Sequence, residues 1–415
     1  MLHIVFALSC VIWFIIFVIV HVQFPFWNIQ PIYHQYDYWR FMYTTPFIVH
    51  KQRPCKTKYL DTSHVFTFPI EDISEIQKYN YLRLLQGYAL PDNQNVLYTF
   101  TNDDFRMLFS DHLYPCYVSF YYQDTPIPTD KTLTFCNTHY LFEPYAAVYS
   151  IPVVMNILPV SWCKEYIRLD IPFHSHPIVK DEGNKNVIRK IFQTHCSEYI
   201  NKHPEQKVAL FCKYGEPHSG IIPIVEWKSY TYYVMKYPPI QELDNCYMSN
   251  VNKDTIHLLD KIYTNETTID NSVHTPFSLC IMVSISNLIF NITTQNKIVY
   301  IMKCKDTIQG VYFFTKRPIE YEEPTGKTLE LSGSISYQPD NVLFFKGFLQ
   351  GLHDVMKTNK EYKYLHIHEN SHNTLLIPHW HRQYRAIQVD PVAYYTYNYI
   401  IPQSPFYSGS VFILL

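Results

Sequence analysis

Histidines crowd one stretch of this 415-residue chain: HIHENSHN (366–373), followed by HWHR (379–382). Within it His368, Glu369 and His372 spell H-E-x-x-H. On a helix that spacing offers two imidazoles to zinc from one face, with the glutamate as general base. The flanking residues predict another shape. YLHIH (364–368) alternates as a strand, and Asn370, Ser371 and Asn373 favour a turn. The three side chains are therefore not expected to share a face, and no metal is assigned.

Other chemistries lack their anchors. The chain has no G-x-S-x-G elbow, no Walker A loop and no G-x-G-x-x-G, and only 10 glycines. Serine hydrolases, P-loop ATPases and Rossmann dehydrogenases each need one of these. The ten cysteines contain no C-x-x-C pair. Their scatter fits reduced, buried thiols better than a disulfide framework or a zinc site. A formal net charge of −2 without a basic patch argues against nucleic acid as a partner. The last residues, SGSVFILL (408–415), form an apolar run where most chains fray. Either it is an edge strand whose carboxylate reaches the surface, or the carboxylate of Leu415 sits in a site and acts as a base.

The elements that would position such groups read as mixed α and β. Residues 73–85, 186–200, 254–263 and 341–357 carry helical spacing. Residues 116–122, 146–157, 166–171, 297–303, 309–315, 364–368 and 392–399 are rich in β-branched and aromatic residues and read as strands. The order repeats loosely, and the proline pair at 238–239 suggests a boundary there. Residues 2–22 hold no Asp, Glu, Lys or Arg. They predict an uncleaved single-pass transmembrane anchor over 1–23. The first Lys and Arg follow it, at Arg40 and Lys51, which favours a cytosolic body.

FWNIQP (26–31) resembles the F-W-x-T-Q-P segment that opens the core of protein N-myristoyltransferases, and further matches follow in family order. LLQGYALPDN (84–93), YTF (98–100), VYSIPVVMNI (148–157), EYIRLDI (165–171) and VAYYTYNYIIP (392–402) are similar to its successive motifs. The resemblance covers residues 26–415. It implies an α+β fold of two tandem GNAT-like halves with mainly antiparallel mixed sheets. Residues 24–237 would hold acyl-CoA and residues 238–415 would complete a peptide groove. The implied activity is transfer of a myristoyl or similar acyl group to an N-terminal glycine. The partners are acyl-CoA, a glycine peptide or nascent protein, and the membrane through residues 2–22; the chain would be a monomer without a permanent cofactor.

The resemblance also implies roles. Leu169 and Asp170 would give backbone donors to the oxyanion, and the carboxylate of Leu415 would be the base. Phe26, Trp27, Gln30, Ile171, Lys180, Gly183 and Lys185 would hold CoA. Tyr88, Asp92, Tyr98, Phe100, Trp227, Tyr337 and Asp390 would line the peptide groove. Two departures stand out. The family's basic K-K-L-R-S-K-R loop is FHSHPIVKDEGNKN (173–186) here, and its tyrosine-tryptophan-histidine-arginine segment is VEWK (225–228), without the histidine. These departures leave open a catalytically inactive relative that binds acyl-CoA or peptide as a membrane adaptor.

Overall fold

The computed structural model describes residues 2–37, 42, 45–52, 57–87, 96–123, 143–158, 166–181, 183–243, 245–259, 277–305, 307–337 and 340–415. Its strands in chain order begin with β1 (Phe47–Ile48), β2 (Val65–Pro69), β3 (Val96–Tyr98), β4 (Tyr117–Tyr121), β5 (Ala146–Ile157) and β6 (Ile167–His174). β7 (Ile178–Val179), β8 (Ala209–Tyr214), β9 (Val225–Tyr233), β10 (Cys246–Asn250), β11 (Leu279–Val283) and β12 (Lys297–Cys304) follow. The last are β13 (Thr307–Glu322), β14 (Thr325–Ser336), β15 (Tyr362–His368), β16 (Ala386–Tyr397), β17 (Tyr399–Ile400) and β18 (Val411–Leu414). Helices are α1 (Leu2–Gln23), α2 (Glu75–Gln86), α3 (Asn102–Phe109), α4 (Lys185–Lys202), α5 (Ile285–Thr293), α6 (Asn341–Thr358) and α7 (Asn373–His381).

Side-chain caps fix where several helices start. Ser74 and Thr101 each close a capping box at α2 and α3. The Asp340 carboxylate accepts from the Val342 and Leu343 amides at the head of α6. Such caps satisfy N–H groups that a first turn leaves without partners.

Among the described residues sixteen strands form one mixed sheet, in the order β10-β12-β13-β14-β15-β9-β16-β8-β6-β5-β11-β18 with β2, β3, β4 and β7 attached beside it. Most neighbours are antiparallel; β6–β8, β11–β18 and β14–β15 are parallel. The expected α+β class with a mainly antiparallel mixed sheet holds. Strands on either side of residue 237 interleave: β16 lies between β9 and β8, and β11 pairs with β5. The sheet therefore continues across the expected boundary. Aromatic residues fill its cores, among them Tyr312, Phe314, Phe344, Phe348 and Trp380 where α6 and α7 pack.

The expected transmembrane anchor is corrected. Residues 2–23 do form α1, and most of its described side chains are exposed. Yet among the described residues no helix is long and apolar enough to cross a membrane. The apolar run is bounded by His3 and His21, and residues 4–20 at about 1.5 Å each extend only about 25 Å against a core of about 30 Å. The transmembrane part of the fold class, the membrane as partner through residues 2–22 and the membrane localisation with a cytosolic body all fall with it.

Candidate active site

β5 and β6 pair in an unbroken antiparallel register from Ser150/His174 to Ile157/Ile167. Its hydrogen-bonding phase can be read at both ends. The Ser175 N–H donates to the Tyr149 carbonyl at 2.9 Å, and the Leu158 N–H donates to Ser278 on the opposite side of β5 at 3.0 Å. Because bonded and non-bonded pairs alternate, Leu169 and Ile171 exchange hydrogen bonds with Met155 and Val153. The Asp170 N–H points the other way, toward β8. β8 joins β6 only at Phe173 and His174, so the edge before them is open on that side. Leu169 and Asp170 thus present their amides to opposite sides, and Pro172 has no amide to add. The Asp170 side chain stays half-exposed, 3.8 Å from Arg168.

The end of the chain runs beside the same strands. All four residues of β18 are buried, and its partners place Leu414 in one cross-sheet row with Met282, Val154 and Asp170. Three interstrand steps of about 4.8 Å separate the row's ends by roughly 14 Å. Leu415 packs against the apolar cluster that holds Val153, Ile171 and Val283. Its oxygen accepts a hydrogen bond from Lys297 Nζ at 2.5 Å.

On the expected CoA side, Phe26 is buried against Tyr59, Phe192 and Trp27. Trp27 stacks on Phe211 at 5.6 Å and leans on His218 at 4.5 Å. Gln30 is buried, donating to Gln193 at 2.5 Å and accepting from the Tyr397 hydroxyl at 3.2 Å. These three residues are built into the core over α4 and β8. Ile171 is buried on β6. Lys180 pairs with Glu143 at 2.7 Å, and the Gly183 N–H donates to the Asp181 carboxylate at 3.0 Å. Lys185 opens α4, where Asn184 caps the Val187 amide. Lys213 on β8 was not singled out by sequence. Burial lowers its pKa, Glu216 opposes, and Lys185 at the head of α4 lies near enough to lower it further. A helix N-terminus with two lysines suits an anion.

On the expected peptide side, Tyr88 and Asp92 lie outside the described residues. Tyr98 and Phe100 stack at 5.9 Å, and β3 lays Tyr98 opposite Ile319 of β13. Trp227 stacks on Tyr394 at 5.1 Å, Asp390 lies opposite Ser229, and Tyr337 is partly exposed just beyond β14. Trp227 meets His368 edge-on at 6.1 Å, and Tyr214 and Tyr98 lie near enough to Arg317 to favour its charge.

A polar row, buried from Lys297 to Thr231, crosses this region and was missed in the sequence. Cross-strand partners run Lys297–Thr315–Glu330–His366–Thr231–Gln388 through β12, β13, β14, β15, β9 and β16. Arg317 pairs closely with Glu330, and Ser332 donates to the other carboxylate oxygen at 2.7 Å. His368 Nε2 stands 3.6 Å from Glu330, and Ser229 and Thr231 hold the Nδ1 atoms of His368 and His366 at 2.8 and 2.9 Å. Glu330, His366 and His368 offer ligand atoms within 4.8 Å of one another. The guanidinium already on that carboxylate fits an ion pair better than a metal centre. The signal was present: polar residues at every second position in TLELSGS (328–334), HIH (366–368) and SYT (229–231).

Burial opposes ionisation of Glu330, but Arg317 and then His368 outweigh it and hold the carboxyl well below its usual range. A depressed carboxyl pKa stabilises the fold fully above the unfolded value of about 4.3 and loses that contribution as pH falls below it. Urea unfolding at pH 6 and pH 3 should therefore show a steep acid loss in the natural chain and a shallower one in Glu330→Gln. Arg317→Ala, which leaves the carboxylate buried alone, should cost about 3–5 kcal/mol in the same assay at pH 7.

The H-E-x-x-H residues diverge as expected. His368 ends β15, Glu369 follows it beside Tyr230, and His372 stands just before α7, its side chain accepting the Ser336 N–H at 2.7 Å instead of capping the helix.

No protein-family model matches the sequence, and no curated protein matches it. Solved structures do match. N-myristoyltransferase of Saccharomyces cerevisiae with bound myristoyl-CoA aligns at a TM-score of 0.64 and 11% identity, over 91% of this chain and 88% of that one. A second structure of that enzyme with bound myristoyl-CoA gives 0.62 at 11% identity, over 91% and 93%. A likeness at such low identity is one of architecture, and this chain has the fold of those N-myristoyltransferases.

Proposed function

We propose that this chain transfers a myristoyl or similar fatty acyl group from acyl-CoA to the N-terminal glycine of a peptide or protein. Residues 24–237 hold the acyl-CoA and residues 238–415 complete the peptide groove. The observation that carries the reading is a fold shared over 91% of the chain with an enzyme that binds myristoyl-CoA. No resident cofactor enters; the thioester is a substrate.

In this reading the glycine amine attacks the thioester carbonyl carbon, the C–S bond breaks, and the CoA thiolate leaves with a proton. Negative charge gathers on the carbonyl oxygen in between, and a positioned N–H donor there typically contributes about 3 kcal/mol. The Asp170 amide, turned to the open edge of β6, supplies that donor. The carboxylate of Leu415 takes the ammonium proton. Lys185 and Lys213 meet the CoA phosphates.

One observation favours a second reading, an inactive relative that binds acyl-CoA or peptide. The regular ladder at Met155/Leu169 turns only one of the consecutive Leu169 and Asp170 amides to the open edge. A myristoyl-CoA titration read by tryptophan fluorescence, with a glycine peptide then added, separates them. Saturable binding followed by acyl-peptide supports the transferase. Binding without product supports the inactive relative, and absence of binding removes both.

A further inference from the structure

We propose that Lys297 is the positioning residue that pins the carboxylate of Leu415 and keeps it ionised for proton removal; this rests on the acyltransferase reading. Lys297 opens β12, is almost wholly buried, and reaches Leu415 at 2.5 Å. A buried ammonium is strongly disfavoured without an anion. Glu330 is the nearest alternative, but Arg317 and Ser332 already occupy its two oxygens. The carboxylate at the end of β18 is the anion left for Lys297.

The other groups facing Lys297 leave it cationic. Burial pulls its pKa down to about 8 and Glu330 opposes the shift, so the ammonium persists at neutral pH. His112, in the turn after α3, is held neutral by burial; its bond to Leu108 and nearby Asp111 oppose, and Lys297 adds to the lowering. One fixed positive charge therefore meets one carboxylate. Without it a desolvated carboxylate would take up a proton at higher pH and could not accept one from the amine. With it, the ammonium of glycine gives one proton to the carboxylate, the amine forms the amide bond, and its second proton leaves with the thiolate. The carboxylic acid returns its proton to water.

The test uses the full chain with Lys297→Met and Lys297→Arg. At pH 7 the Met variant is expected to lose about 10²-fold in kcat with little change in peptide KM, because misplacing a reacting group costs that much. The acid limb of its kcat–pH profile should move upward by about one unit or more. Lys297→Arg, which keeps the cation, should restore the limb. A Met variant with the natural limb, or an Arg variant as damaged as Met at every pH, overturns the proposal. A second readout needs no turnover. In protein carrying 13C-labelled lysine, the Lys297 titration midpoint should fall when Gly-Gly is added after Leu415. An unchanged midpoint overturns the pairing. If the natural chain transfers nothing, the acyltransferase reading fails by itself and the titration still decides whether Lys297 and Leu415 are coupled.

Discussion

Adding one alanine after Leu415 is expected to lower kcat by about 10²–10⁴-fold, the range for removing a positioned acid or base, while the fold melts nearly as before. β18 is locked in place: its four residues are buried and register with Leu279–Met282 of β11. One more residue therefore cannot be absorbed by sliding the strand. It carries the carboxylate about 3.3 Å onward, away from Lys297 Nζ. Steady-state kinetics beside thermal melting check this. Turnover within a few-fold of the natural chain, with the melting curve unchanged, would show that the carboxylate of Leu415 is not the base.

Phe26→Ala is expected to cost about 3–5 kcal/mol of stability, the range for emptying a buried aromatic site. Phe26 is 4% exposed and touches Tyr59, Trp27 and Phe192 edge-on, with ring centroids 5.1, 4.8 and 6.5 Å away. Tyr59 and Phe192 come from two distant parts of the chain, so the hole cannot close by moving one loop. Gln30 adds to the cost of disturbing this segment, since its amide is buried between Gln193 and Tyr397. Urea unfolding measures the loss. A loss below about 1 kcal/mol would mean that residues 26–30 form a loose flap over the ligand and not part of the core.

What could be read from the sequence was whatever depends on local pattern. The strands at 146–157 and 364–368 and the helices at 186–200 and 341–357 carry their periodicity openly, and β5, β15, α4 and α6 form there within a few residues. β14 was missed because TGKTLELSGSIS reads as a glycine- and serine-rich loop. Between β13 and β15, however, those small polar residues sit on a buried face, where Glu330 answers Arg317. α7 was missed for the opposite reason: Pro378 and its histidines look like a breaker, yet Trp380 and Leu376 bury the helix against α6 and β15. Of the helical expectation over 254–263, the described part shows turn at 254–256 and helix at 257–259, and 260–263 lie outside the described residues. For the site, the strand bearing Asp170 and the closing run to Leu415 could be found from motif order. The partnership of Lys297 with Leu415 could not, because it joins residues 118 apart on strands that do not pair with each other. Lys213 was equally hidden, since its nearness to Lys185 follows from the parallel crossing of β6 and β8.

The acid behaviour expected of Glu330 and the coupling of Lys297 to Leu415 each test a part of the account, whereas acyl transfer tests the whole of it. The decisive measurement is the mass of two peptides, one starting with free glycine and one with N-acetylglycine, after incubation with the full chain and myristoyl-CoA. The account predicts that the free-glycine peptide gains one myristoyl group at its α-amine and the acetylated one gains none. No acyl-peptide from either, at any pH between 6 and 9 and with myristoyl-CoA demonstrably bound, would contradict it.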